Sequence, residues 1–448
     1  MKKVITYGTF DLFHYGHRRL LERAKALGDH LIVGVTSEDF DKARGKINVQ
    51  QSLMERIEVL KATGLADEII VEEYEGQKID DILRYNVDIF AIGSDWVGKF
   101  DYLKQYCEVV YLERTEGVSS SELRAEKREL RLGIVGDELP FLSKFERESH
   151  YVNGLSISGL CHLRRHESIP DNLLHLPLLT SNFEEIVDAS DAIFLNSTPQ
   201  QHYNQIKYAL MQGRHVLCEP PVSMKRDEWD ELMRLAEEKK CLLMDALRTA
   251  YAMAYRRLLL LVKSGVIGKV CSVDSSITVQ RDTELKGDEL INVRNSISTW
   301  GANALLPVFQ LLGTDYQSKR IITHIENESL KYDTFSKIDF VYPEAVASIK
   351  VGKGVKTEGS LVVSGTTGYI YVPAPWWKTE YFEVRREDPS FNKRYFYQLD
   401  GEGIRYELVS FIRAVQTGRS YPYISGQVSK AMVAILEDFY NEKDLIRI

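Results

Sequence analysis

The chain lacks a hydrophobic run long enough to cross a bilayer, a cysteine pair, and any block of basic residues. Each shortage excludes a class. A membrane helix needs ~18 or more consecutive apolar residues. The opening Met1-Lys2-Lys3-Val4-Ile5-Thr6-Tyr7 leads straight into a strand pattern rather than a secretory signal. The five cysteines, Cys107, Cys161, Cys218, Cys241 and Cys271, are odd in number and far apart. Without a C-x-x-C pair they indicate neither a disulfide framework nor a zinc site. A formal net charge of -8 with no basic cluster argues against a nucleic-acid surface, which needs grouped Lys and Arg. The expectation is a cytoplasmic protein with free thiols, no membrane span and no nucleic-acid partner.

What is present is apolar material for several cores. At 448 residues the length suggests two to four units. Strand-like runs at Val4–Tyr7, Leu31–Thr36, Glu68–Glu72, Val87–Ile92 and Glu108–Leu112 alternate with helical patterns. Leu20, Leu21, Ala24 and Leu27 share one helix face that stops at Gly28, and a second helix follows Ser52 with Leu53, Ile57 and Leu60 and ends near Gly64. This α/β alternation implies a parallel sheet covered by helices, with ligands at the carboxyl ends of its strands. A charged helix, Ser121 to Glu129, leads into a fresh strand at Leu130–Gly136. The alternation then repeats, with strands at Gly154–Cys161, Ala192–Leu195 and His215–Cys218 and helices at Gln205–Gln212 and Asp227–Lys239. Beyond about residue 246 longer alternating runs (Val270–Gln280, Lys337–Val341, Ala345–Val351, Gly359–Val363, Tyr369–Val372) suggest an open, largely antiparallel sheet. A last helix, Val428 to Phe439, is placed to return to the second unit. The expected domains are 1–130, 131–245 and 246–448.

The strongest chemical signal is Gly8-Thr9-Phe10-Asp11-Leu12-Phe13-His14-Tyr15-Gly16-His17, between strand one and helix one. His14 and His17 are three apart and project to the same side of a first helical turn. Gly16 allows close approach to the backbone, and a helix start offers free N–H groups and partial positive charge to an anion. Two imidazoles so placed would stabilise a phosphoryl group whose charge grows in the transition state. No third ligand for zinc lies nearby.

This segment resembles the H-x-G-H signature of the nucleotidyltransferase superfamily, and its surroundings resemble the glycerol-3-phosphate cytidylyltransferases that serve bacterial polyol-phosphate polymers. Two further stretches carry the resemblance: Gly93-Ser94-Asp95-Trp96-Val97-Gly98-Lys99-Phe100-Asp101, and Arg114-Thr115-Glu116-Gly117-Val118-Ser119-Ser120-Ser121. It covers residues 1 to about 129 and implies a Rossmann-like nucleotidyltransferase domain that joins CTP to a small alcohol phosphate. By the same resemblance His14 and His17 would hold the α- and β-phosphates, and Lys46 would neutralise the triphosphate or the acceptor. Arg44 stands where the family has a lysine, exchanging an ammonium for a fork. Arg114, Thr115, Ser119, Ser120 and Arg124 would serve the outer phosphates, the serines also capping the last helix. Asp95 and Trp96 would meet the cytosine. Thr9, Phe10 and Asp11 are placed at the substrate, with Asp11 open to orienting, metal-contacting or purely structural roles. Mg²⁺ is expected with CTP, and a homo-oligomer, a dimer by family. One departure is the Thr63-Gly64 region, where the family has an arginine. An adenylyltransferase is the rival, because H-x-G-H is shared across the superfamily.

Residues 131–448 resemble the glucose-fructose oxidoreductase/inositol dehydrogenase family, at Ser190-Asp191-Ala192-Ile193-Phe194-Leu195-Asn196-Ser197-Thr198-Pro199, at His202, and at Gly213-Arg214-His215-Val216-Leu217-Cys218-Glu219-Pro220-Pro221. That implies a second Rossmann-like domain followed by an α+β domain. The functional positions are degraded. Of G-x-G-x-x-G only Gly136 remains as a candidate NAD(P) contact; Cys161-His162-Leu163 replaces the ribose acid; Pro220 replaces the lysine of E-K-P. Trp300-Gly301-Ala302-Asn303-Ala304-Leu305 carries neither the expected Asp nor His. The expectation is a fold kept without its hydride transfer; the alternative is a bifunctional enzyme whose NAD(P)-dependent half makes or modifies the polyol acceptor.

Overall fold

The computed structural model describes residues 2–37, 49, 51–73, 76–113, 129–162, 169–280, 294–397, 399–418 and 423–448. The chain divides into two compact units, Met1–Glu129 and Leu130–Ile448.

In the first unit β1 (Lys3–Gly8), α1 (Tyr15–Lys25), β2 (His30–Thr36), α2 (Leu53–Thr63), β3 (Glu68–Glu72), α3 (Gln77–Tyr85), β4 (Ile89–Gly93) and β5 (Glu108–Leu112) follow in order. The strands form one parallel sheet ordered β3-β2-β1-β4-β5. Period-two alternation divides its residues between two faces. Val4, Leu31, Val33, Ile89 and Ala91 pack with Leu21 and Ala24 of α1, whereas Ile5, Ile32, Phe90 and Ile92 pack with Ile82 of α3. α2 begins in a capping box, Ser52 with Glu55, and ends at Gly64 with φ 67°, as its sequence announces. The chain builds outward from β1 to β3, then crosses back to β4 and β5. The crevice where the order reverses lies between the carboxyl ends of β1 and β4, where open α/β sheets bind ligands.

The second unit repeats the plan with β6 (Leu130–Gly136), α4 (Leu139–Ser149), β7 (Leu155–Cys161), α5 (Asp171–Leu174), β8 (Leu179–Thr180), α6 (Phe183–Asp188), β9 (Ala192–Asn196), α7 (Pro199–Met211), β10 (His215–Cys218), α8 (Arg226–Glu238) and β11 (Leu243–Asp245). The sheet order is β11-β10-β9-β6-β7-β8, all parallel. α7 starts earlier than the sequence pattern suggests, at Pro199, whose fixed φ suits a first turn.

α9 (Met253–Lys263) then leads to a nine-stranded sheet built from β12 (Val270–Thr278), β13 (Ser318–Asn327), β14 (Tyr332–Val341), β15 (Val346–Gly352), β16 (Leu361–Gly365), β17 (Gly368–Val372), β18 (Tyr381–Arg385), β19 (Lys393–Phe396) and β20 (Leu445–Arg447). Only β12 with β15 and β13 with β20 pair in parallel. The helices α10 (Ser296–Leu312), α11 (Ile404–Thr417) and α12 (Gly426–Tyr440) complete the unit. α12 does return to the second sheet: Val433 joins its core, and Trp229 Nε1 of α8 donates to Ser429 Oγ at 3.1 Å. Among the described residues no helix is long and apolar enough to cross a membrane. All five cysteines are free.

Candidate active site

The turn between β1 and α1 puts the two histidines face to face. Their rings stack with centroids 3.9 Å apart and planes 22° apart. The sequence expectation put both within one helical turn; the structure corrects this for His14. It is the extended N-cap residue, and its Nδ1 accepts the Gly16 amide at 3.1 Å. An Nδ1 that accepts carries no proton, so the ring N–H is on Nε2, free of the capping bond. The Gly16 amide is thereby used to orient His14 as well as to open space. Two imidazolium charges 3.9 Å apart would repel by about 4 kcal/mol at an effective dielectric of ~20. Either ring, neutral or protonated, presents an N–H donor.

The neighbouring candidates support this pair. Phe10 is 2% exposed, adopts φ 55° and lies edge-on to the His17 ring at 5.5 Å. A Cβ on Gly8 would come within 2.9 Å of the Phe10 ring, which explains that glycine. Asp11 is 3% exposed and its Oδ1 accepts the Gln51 amide at 3.0 Å, while Gln51 Oε1 accepts the Leu12 amide at 2.7 Å. The side chains of Phe10 and Asp11 are thus packed within the turn that carries the histidines. Thr9 Oγ1 lies 3.4 Å from Thr36 Oγ1, at the ends of β1 and β2. Arg56, on α2, is not singled out in the sequence but is fully buried. Its guanidinium donates to the carbonyls of Thr9 (2.8 Å), Thr36 (3.0 Å) and Gln51 (3.2 Å). One fork ties together three segments bordering the crevice.

Across the crevice, β4 ends in a 3₁₀ turn, Ser94–Trp96. Asp95 is exposed; Trp96 is half-buried against Phe100 at 5.7 Å, with Lys99 Nζ 5.0 Å from its ring centroid. Trp96 lines a cleft of ≈ 50 Å³ together with Gly8, Thr36, Glu72 and Lys78. The structure therefore brings Trp96 to the same strand ends as the histidine turn. Lys78 and Glu72 form a buried ion pair at its floor. Lys78 Nζ also lies 4.7 Å from the Tyr7 ring, whose hydroxyl donates to Asp81 at 2.8 Å. Burial, with Asp81 beside it, pushes the Tyr7 hydroxyl's pKa up. Nothing in the sequence patterning singled out Lys78 or Glu72; a lysine one residue past Gln77 on a polar helix has no special signature. Arg44, Lys46, Arg114, Thr115, Ser119, Ser120 and Arg124 lie outside the described residues.

Comparison with known proteins completes the picture. A cytidylyltransferase-like family model matches residues 5–126. The glycerol-3-phosphate cytidylyltransferase of Bacillus spizizenii is 52% identical over 130 residues, covering 29% of this chain and 100% of that protein. The chain belongs to this cytidylyltransferase family. The Bacillus subtilis glycerol-3-phosphate cytidylyltransferase is 50% identical over 126 residues, 28% of this chain and 97% of that protein. The cytidylyltransferase unit is thus a nearly whole family member joined to a second body. For the latter, a model for the oxidoreductase family with an NAD-binding Rossmann fold matches residues 144–246. A 3-ketoreductase from Actinomadura kijaniata, solved with NADP, aligns with TM-score 0.61 at 17% identity, over 72% of this chain and 100% of that one. An aldose-aldose oxidoreductase from Caulobacter crescentus aligns with TM-score 0.59 at 16% identity, over 70% and 98%. At such identity the likeness establishes the fold alone.

Whether the second unit's own residues suit a dinucleotide can be judged at its switch point, between β6 and β9. A Cβ on Gly136 would meet the Asn196 carbonyl oxygen at 2.9 Å; strand packing alone accounts for this glycine. Glu138 caps α4, and Pro140 in its first turn removes an N–H that a phosphate would use. Phe141 packs toward Phe194 at 6.2 Å, and Arg248 covers its other side at 4.7 Å. Asp137 Oδ1 lies 3.2 Å from His162 Nδ1, where the family expects the ribose acid. On α10, Asn303 Oδ1 accepts the Thr249 hydroxyl at 3.1 Å. His202 is a buried tie: its ring nitrogens face the carbonyls of Pro221 (2.7 Å) and Ser197 (3.0 Å), and burial lowers its pKa to about 3. These residues do not fit an NAD(P) pyrophosphate or a hydride-transfer site.

Proposed function

We propose that the first unit transfers the cytidylyl group of CTP to glycerol phosphate or a related polyol phosphate. An oxygen of the acceptor phosphate attacks the α-phosphorus in line; the bond from that phosphorus to the bridging oxygen breaks, and pyrophosphate leaves. Positioning and charge stabilisation supply most of such catalysis. The feature that supports this reading is the stacked His14–His17 pair at the switch point, with Trp96 lining a cleft at the same strand ends. His14 Nε2 and the His17 ring donate to the α- and β-phosphate oxygens, where negative charge accumulates. Asp95 and Trp96 take the cytosine; Lys46, Arg44, Arg114, Thr115, Ser119, Ser120 and Arg124 complete the phosphate cradle by their matching positions in the family. Mg²⁺ enters with CTP, whose phosphates supply ligands for it. Incubation with CTP and sn-glycerol 3-phosphate, followed by anion-exchange chromatography, yields CDP-glycerol. CMP alone, or no turnover with any polyol phosphate, contradicts the assignment.

Lys78 is the natural anchor for the acceptor's phosphate, being the cation that lines the cleft among the described residues. Lys78→Met raises the KM for the acceptor by more than about tenfold, and it destabilises the unit because Glu72 is left buried and alone. Adding Glu72→Gln restores the denaturant midpoint but not the KM. Recovery of both would assign the pair a structural role only.

The second unit is a reductase fold that has lost its reaction and serves assembly or regulation. A cytoplasmic homodimer supplying precursors for a cell-wall or capsule polymer fits the family. Titrating the full chain with NADH and NADPH produces no saturable rise in nicotinamide fluorescence up to about millimolar concentrations. Saturable binding would favour the bifunctional alternative, in which this half makes the polyol acceptor.

A further inference from the structure

A cavity of the second unit shares no lining residue with the degraded crevice's Gly136, Glu138 or Asn196. It has a volume of ≈ 710 Å³ and is bounded by α8, the edge strand β11 and the start of α12. That size is within the range of roughly 300–1,000 Å³ typical of small-molecule sites. Trp229, Met233, Leu243 and Ile424 make its walls mainly apolar. Trp229 is held in place by its bond to Ser429, so it presents a fixed aromatic surface. Two charged groups at the rim, Arg234 and Glu237, are exposed and opposite in sign. Asp230 is neutralised by Lys430, whose Nζ reaches both carboxylate oxygens at 2.7 Å.

Asp245, the last residue of β11, breaks the balance. It lies deep in the unit yet keeps part of its surface open, and it lines this cavity. We propose that this cavity is a binding site for a small organic amine with an aromatic or aliphatic body, its cationic head paired with Asp245 and its body against Trp229. Burial raises the Asp245 pKa to about 6, with the Ser429 hydroxyl pulling the other way; the other titratable groups lining the cavity are Asp230, Arg234, Glu237, Cys241 and Tyr251. Among the described residues no Lys, Arg or His ion-pairs with the Asp245 carboxyl, whose charged form burial disfavours. A bound amine would supply the charge that burial penalises. An alcohol of the same shape would supply only a hydrogen bond, and a carboxylate would be repelled.

The test is calorimetry on the full chain at pH 7.5 with 2-phenylethylamine, hexylamine, 2-phenylethanol and 3-phenylpropionate. One or both amines bind saturably and at least about tenfold more tightly than the alcohol, with no binding of the carboxylate. Asp245→Asn abolishes the preference for amine over alcohol. Because the ligand series uses the wild-type protein, the outcome does not depend on that variant folding; a labelled Met233 methyl resonance, shifting on amine addition, locates the site. Equal binding of amine and alcohol, no binding of either amine, or an unchanged preference in Asp245→Asn overturns the proposal. None of these results bears on cytidylyl transfer, which belongs to the other unit.

Discussion

Replacing His14 and His17 together with alanine lowers cytidylyl transfer by about 10⁴-fold, while the protein still folds. Either single change costs about 10²–10³-fold, the usual loss for one donor aimed at developing phosphate charge. The effects combine less than additively because the stacked rings hold each other. Alanine at 14 also removes the helix cap and costs about 1 kcal/mol of stability. His14→Asn separates the two roles. Asparagine caps a helix as well as any residue but cannot reach with an Nε2–H. The denaturant midpoint of His14→Asn therefore stays at the wild-type value while initial rates of pyrophosphate release fall as in His14→Ala. Retained turnover in a folded His14→Asn protein would leave His14 with nothing but its cap.

The second large effect lies behind the site. Arg56→Ala leaves the carbonyls of Thr9, Thr36 and Gln51 without the donor that ties them, at a cost of about 3–5 kcal/mol. Urea denaturation followed by circular dichroism measures this loss. Because Thr9 precedes the histidine turn and Thr36 ends β2, kcat falls more than about tenfold even where the variant is still folded. Arg56→Lys keeps the charge but can satisfy fewer carbonyls in that geometry, so it recovers part of the stability and part of kcat. A midpoint shift below about 1 kcal/mol, or full turnover in folded Arg56→Ala, would show that the three segments hold their places without it.

Why some of this was legible in the sequence and some was not follows from which physical signal each residue carries. Apolar strand-like runs gave β1, β2, β3 and β5 nearly to the residue because each sends side chains to the cores on both faces of the sheet. The H-x-G-H spacing revealed the histidines because their function needs that spacing. It could not reveal that His14 caps the helix rather than joining it, since a cap and a first-turn residue differ in φ and ψ, not in sequence. α10 went unnoticed because Gly301 and Pro307 interrupt it, and both normally punctuate helices. Arg56, Glu72 and Lys78 carry no sequence signal that marks them as buried, since most charged residues are solvated. The burial of Arg56 is a tertiary fact, created when Thr9 and Thr36, 47 and 20 residues away in sequence, meet it. In the second unit the degraded glycine loop was plain from the residues, whereas the packing reason for keeping Gly136 needed the distance to Asn196.

The most direct test of the central claim is the initial rate of pyrophosphate release with CTP, ATP, GTP and UTP, each paired with glycerol phosphate, ribitol phosphate and phosphoethanolamine. Turnover with CTP and a polyol phosphate, at least about 10²-fold faster than with ATP, is the expected result. Release from ATP with none from CTP would contradict it.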